Sequence, residues 1–132
     1  MYQILVIDDD PTGAQLLIDL LQLEGHRGHA LENWRDPVAG VEAQRPDMVI
    51  MDVRLGSHDG LALLRQIRSH PDAGVGSVPV LMISAENASA RCRAAGASGF
   101  VEKPFDTESL FRTIQEIMEV SISGTSVSLP NN

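Results

Sequence analysis

The chain has one cysteine and one lysine in 132 residues, and aromatic residues make up only 4% of it. With Cys92 alone, no intramolecular disulfide can form. That excludes the stapled architectures of small secreted domains and makes a reducing cytoplasm the expected compartment. No apolar run approaches the ~20 residues of a membrane span. The N-terminus, MYQILVIDDD, has no basic start and meets acid after a few apolar residues, so it does not read as a signal peptide. Positive charge is scarce: ten Lys plus Arg stand against eighteen Asp plus Glu, for a net charge of −8. Direct binding of nucleic acid by this domain is therefore not expected. Internal repeats are absent. The length fits one domain, which can bury roughly two thirds of its unfolded surface.

What remains alternates between two patterns. Val- and Ile-rich runs at Gln3–Ile7, 47–51, 79–83 and Gly99–Glu102 read as buried strands, and 26–31, after the turn residue Gly25, as a weaker one. Helices are expected between them. The first, 12–24, carries Leu16, Leu17, Leu20, Leu21 and Leu23 as a broad apolar face, with Asp10 and Pro11 as N-cap and first-turn proline. The second, 36–44, is bounded by Pro37 and Pro46. The third, 61–69, turns Leu61, Leu64 and Ile67 inward. The fourth, 87–95, stops at Gly96, and the fifth, 107–120, is capped by Asp106. The uncharged segment 121–132, SISGTSVSLPNN, has no helical period and is expected as a flexible tail or cut linker after a folded domain 1–120. Five strands alternating with five helices give an α/β fold, (βα)5, with a doubly wound parallel sheet covered on both faces. Ligands of such a sheet bind at the carboxyl ends of its strands.

Those ends hold a specific set of groups. Strand one runs into Asp8, Asp9 and Asp10, strand three into Asp52, strand four into Ser84, and strand five into Lys103 and Pro104. Carboxylates a few ångströms apart disfavour simultaneous ionisation. Lys103 offsets one charge, and a divalent hard cation would offset two more. Mg2+ suits such a site, with Mn2+ as a substitute, because it takes one or two carboxylates, keeps several waters and shares a phosphate ligand. The set therefore suggests a pocket for a phosphoryl group. Asp52 would be the nucleophile, and Ser84 and Lys103 would hold the phosphoryl oxygens.

Residues 1–120 resemble the receiver domain of two-component response regulators. The resemblance rests on ILVIDDD with Asp8 and Asp9, MVIMDVRLGSHDG with Asp52 and Gly60, VPVLMISA with Ser84, and GFVEKPF with Lys103 and Pro104. It implies a flavodoxin-like strand order 2-1-3-4-5. It makes Asp52 the phosphoacceptor, and Asp8, Asp9, Asp52 and the backbone carbonyl of Arg54 the Mg2+ ligands. Ser84 becomes the switch hydroxyl, Lys103 the phosphate-pairing lysine and Phe100 the aromatic switch residue, with Lys103–Pro104 a cis peptide. Arg54 and Glu86, each two residues beyond a pocket residue, would flank the path of the hydrolytic water and tune hydrolysis. The protein would not be an enzyme beyond its own phosphoryl transfer and dephosphorylation. A sensor histidine kinase or phosphotransfer protein would supply the phosphoryl group, and a downstream output domain or protein would read the surface 86–120. The resemblance leaves room for a homodimer through the fourth and fifth helices. Two departures from the family pattern concern switching: Gly56 stands where a proline is common, and Phe100 has no hydroxyl.

Rival readings exist. Asp8-Asp9-Asp10-Pro11-Thr12 also matches the DxDxT motif of haloacid-dehalogenase-type phosphatases, with Asp8 as nucleophile and Asp10 as acid/base. That reading leaves Asp52 unexplained and lacks a strand-end acidic pair after Lys103. A third reading, a docking module with a silent pocket, sits poorly with a full set of acids, hydroxyl and lysine. Ser84 also serves as an N-cap in one reading, and Phe100 as plain core. The four histidines show no ligand spacing and are expected at the surface.

Overall fold

The structure is a computed structural model that describes residues 1–85 and 87–123. In chain order its elements are β1 (Gln3–Ile7), α1 (Pro11–Leu23), β2 (Arg27–Ala30), α2 (Pro37–Gln44), β3 (Met48–Asp52), β4 (Arg54–Leu55), β5 (His58–Asp59), α3 (Gly60–Arg68), α4 (Ala73–Gly76), β6 (Val80–Ser84), α5 (Ser89–Ala95), β7 (Gly99–Glu102) and α6 (Thr107–Ser123). Five strands form one parallel sheet in the order β2-β1-β3-β6-β7. This is the expected doubly wound order. The numbering shifts because β4 and β5 form a small antiparallel hairpin between β3 and α3, and α4 is a single turn before β6. Helix α6 runs through Ser123, past its expected end at residue 120, and the rest of the expected tail, 124–132, lies outside the described residues.

Strand side chains alternate between the two faces. Ile4, Val6, Met48, Ile50, Leu81 and Ile83 pack with residues of α1 and α6, while Leu5, Ile7, Val49, Met51, Val80 and Met82 pack with residues of α2, α3 and α5. Both faces are covered, so β1, β3 and β6 read as continuous apolar runs. Helix α1 buries Ala14, Leu17, Ile18 and Leu21. Leu16 and Leu23, counted above in its inward face, are 61% and 82% exposed.

Aspartates start most helices. The side chains of Asp10, Asp36, Asp59 and Asp106 accept N–H groups of Thr12, Ala39, Leu61 and Ser109, each worth about 1 kcal/mol. Helix α5 differs: its N-cap is Ala88, with no side-chain cap, and it ends at Gly96 with φ 105°. Ser84 therefore does not cap it. Three histidines also depart from a surface placement, His58 being half-buried against the Trp34 ring. His26 is half-buried, accepts the Tyr2 N–H and stacks on the Tyr2 ring. His70, with 14% of its side chain exposed, pairs with Glu42 and accepts the Asp72 N–H.

Arg68 closes α3 as a half-buried cation. Its Nε donates to the Gly96 carbonyl at 2.8 Å, and its Nη1 donates to those of Gly76 at 3.0 Å and Val78 at 2.7 Å. Burial pushes its pKa down, and aligned carbonyl dipoles replace lost water. It ties α3, α4, the entry to β6 and the end of α5 together. Arg68→Ala leaves those carbonyls unpaired and is expected to lower urea-measured stability by about 2–4 kcal/mol. Arg65→Ala, one turn earlier and exposed, is expected to change it by under ~0.5 kcal/mol.

Candidate functional site

The parallel register brings the strand ends to one edge. Asp52 closes β3 opposite Ile83, and Ser84 closes β6 opposite Glu102. Asp8 stands one residue past β1. Each of these partly buried acids is steadied by the amide two residues on, a local turn that aspartate favours. Asp10 N–H donates to Asp8 Oδ1 at 3.0 Å, and Arg54 N–H donates to Asp52 Oδ1 at 3.0 Å. Lys103 Nζ lies 2.7 Å from Asp52 Oδ2; the Asp52 side chain is 13% exposed and that of Lys103 42%. The ammonium thus reaches from the surface to a shielded carboxylate. Lys103 N–H donates to the Ser84 carbonyl at 2.8 Å, which locks the end of β7 to the end of β6. The Lys103–Pro104 peptide bond is cis.

Two cavities share Asp52 and Lys103. One, of about 230 Å3, reaches Asp8 and Gly13 and has Leu16, Leu20 and Phe105 in its apolar wall. The other, of about 200 Å3, is lined by Asp52, Arg54, Ser84, Ala85 and Lys103. Ser84 is 1% exposed, so its hydroxyl is a shielded polar group at that wall. Burial raises the Asp8 pKa above the ordinary value. The Asp10 amide pulls it back, the Asp52 charge raises it further and Lys103 lowers it.

Not every expected residue joins these cavities. Asp9 lines neither of them; its exposed carboxylate rests against Gly56 in the β4–β5 turn. Phe100 sits on β7 opposite Met82 and packs on the core below α5. Glu86 lies outside the described residues. Among the described residues, no three His, Cys, Asp or Glu side chains form a ready metal cage.

Two glycines shape the site, and neither role was read from the sequence. A Cβ at Gly60 would stand 2.4 Å from the Asp52 carbonyl oxygen, and one at Gly13 would stand 3.1 Å from Asp8 Oδ2. Gly60 lets the start of α3 abut the backbone of Asp52. Gly13, in the first turn of α1, leaves room beside Asp8. A glycine inside a helix, where propensity disfavours it, was the available signal for Gly13.

The profile of the response regulator receiver domain family matches residues 4–115. Protein PilH of Pseudomonas aeruginosa is 31% identical over 121 residues, covering 89% of this chain and 98% of PilH. The nitrogen assimilation regulatory protein NtrX of Azorhizobium caulinodans is 35% identical over 124 residues, 89% of this chain but 26% of NtrX. The chain therefore spans nearly all of one relative and about a quarter of the other. Among solved structures, the chemotaxis response regulator CheY4 of Vibrio cholerae superposes with a TM-score of 0.78 at 27% identity, over 89% of this chain and 98% of that one. Fold and sequence agree: the chain belongs to the response regulator receiver domain family, a family of switches in two-component signalling.

Proposed function

We propose that Asp52 accepts a phosphoryl group from a phosphohistidine of a sensor kinase or phosphotransfer protein. The observation that carries this reading is the Lys103 ammonium 2.7 Å from Asp52 Oδ2, beside a cavity that also holds Ser84. A carboxylate oxygen of Asp52 forms the new P–O bond as the donor's P–N bond breaks, and the imidazole leaves with the electron pair. Lys103 is already placed against the charge that the phosphoryl oxygens bring, so little reorganisation is needed. The Ser84 hydroxyl can donate to one of those oxygens. A protein donor has apolar surface to dock on, since Leu16 is 61% exposed beside Leu20 and Phe105 in the cavity wall.

Mg2+ fits the donors present. All are oxygens, Asp8 and Asp52 are close enough for the charge of one to raise the pKa of the other, and Mg2+ needs only one or two carboxylates beside its waters. Asp8, Asp9, Asp52 and the Arg54 carbonyl would hold it, with Mn2+ as a substitute. Bound there, the ion would supply positive charge to the phosphoryl oxygens. Asp10 serves as the N-cap of α1 through the Thr12 amide, which favours Asp52 over the phosphatase reading with Asp8 as nucleophile.

Phosphorylation adds charge next to Ser84 and biases an equilibrium of the surface formed by α5, β7 and α6. Phe100 on β7 takes part in that shift by packing alone. An output domain or protein reads the surface, and a second copy of the chain is a further candidate for it. The setting is cytoplasmic. Arg54 and Glu86 tune how fast water removes the phosphoryl group.

Three outcomes test this reading. In a phosphodonor assay with Mg2+, wild type takes up label on Asp52 and Asp52→Asn takes up none; label on Asp8 would overturn the assignment. In phosphate-release time courses, Arg54→Ala alters the decay of the phosphorylated form without abolishing its formation. The third concerns stability. The Asp8 pKa is raised in the folded state, so folding loses stability as pH climbs above 3.8, the ordinary aspartate value, and through the folded pKa. Asp8→Asn is therefore expected to be more stable than wild type at neutral pH in metal-free buffer and to gain nothing below pH 3.8.

A further inference from the structure

The three acids of the site are not held alike. Asp8 accepts the Asp10 N–H, and Asp52 accepts both the Arg54 N–H and the Lys103 ammonium. Asp9 lines neither cavity. Its Oδ2 sits 2.5 Å from where a Cβ of residue 56 would stand. Side chains do not tolerate that approach, so the carboxylate occupies space that exists only because residue 56 is glycine. Gly56 also has φ 61°, at the first position of the two-residue turn between β4 and β5.

We infer that Gly56 is a positioning residue for Asp9. It gives the carboxylate a station on the hairpin, outside the cavity, which competes with the station beside Asp8 and Asp52. The inference rests on the Mg2+ reading above and adds to it that residue 56 sets how readily Asp9 joins the cation. A site whose competent arrangement is only partly populated binds more weakly by that fraction. Closing the hairpin station therefore tightens binding, and filling the site pulls Asp9 off the turn.

Mg2+ titration by calorimetry on the purified chain tests this. If the cavity station is populated at roughly 10–30%, Gly56→Ala binds Mg2+ about three- to tenfold more tightly than wild type. Gly25→Ala is the control for backbone strain, since Gly25 has φ 87° with nothing within 4 Å of a Cβ; its Mg2+ affinity stays that of wild type. Equal or weaker Mg2+ binding by Gly56→Ala overturns the inference. A second measurement needs no change at residue 56. In wild type the Gly56 amide resonance moves further with Mg2+ saturation than it does in Asp9→Ala at saturating Mg2+, where only the Arg54 carbonyl passes the effect on; equal movement in the two overturns the inference. A wild-type Gly56 resonance that ignores bound Mg2+ also overturns the inference. Wild type that binds no Mg2+ at all removes the metal reading itself, a distinct failure.

Discussion

Two carboxylates and one ammonium share the carboxyl edge of a parallel sheet, and the molecule depends on keeping them there. Asp8 and Asp52 repel each other at partly buried positions, and Lys103 alone among the described ammonium groups pairs with either. The Lys103–Asp52 pair offsets one of the two charges, and the repulsion between the acids still opposes assembly. The apolar faces of β1, β3 and β6 hold it, because the register that buries Val6, Ile50 and Ile83 also fixes where each strand runs out. A slip of one residue would turn every side chain to the wrong face, so the core and the cavity stand or fall together. Local devices then trim the geometry: an Asx turn under each of the two acids, a main-chain bond from Lys103 to Ser84, and glycines where the backbone comes too close for a side chain.

Much of this was legible in the sequence. Strands covered on both faces read as uninterrupted Val, Ile and Met runs, and each such run ends at a chemically distinct residue. That is enough to list Asp8, Asp52, Ser84 and Lys103 together before any coordinates. Strand order is another matter, because periodicity is local and the crossing of chain segments is not; it came from the resemblance. The hairpin β4–β5 and the single turn α4 are too short to display a period, although the Gly-Ser pair between Leu55 and His58 carries a turn signal. Leu16 and Leu23 misled by type, since a helix packed on a sheet buries a stripe narrower than its leucine content suggests.

Direction was harder to read than position. Asp8 and Asp9 are neighbours at a strand end, where successive side chains point to opposite sides, so the same motif sends one into the cavity and the other to the hairpin. Phe100 illustrates the same limit from β7: its distance along the chain from Lys103 is short, yet it faces the core under α5. The half-buried Arg68 had no sequence signal, because its partners are carbonyls contributed by two distant stretches of chain, 76–78 and Gly96.

The scarcity of lysine has a practical side. An amine-selective reagent finds two addresses in this chain, the α-amino group and Lys103, and the second is engaged with the carboxylate at the heart of the site. Acylation or reductive methylation of the intact protein therefore reads the chemical state of that edge directly, with the N-terminus as an internal standard and no engineered probe.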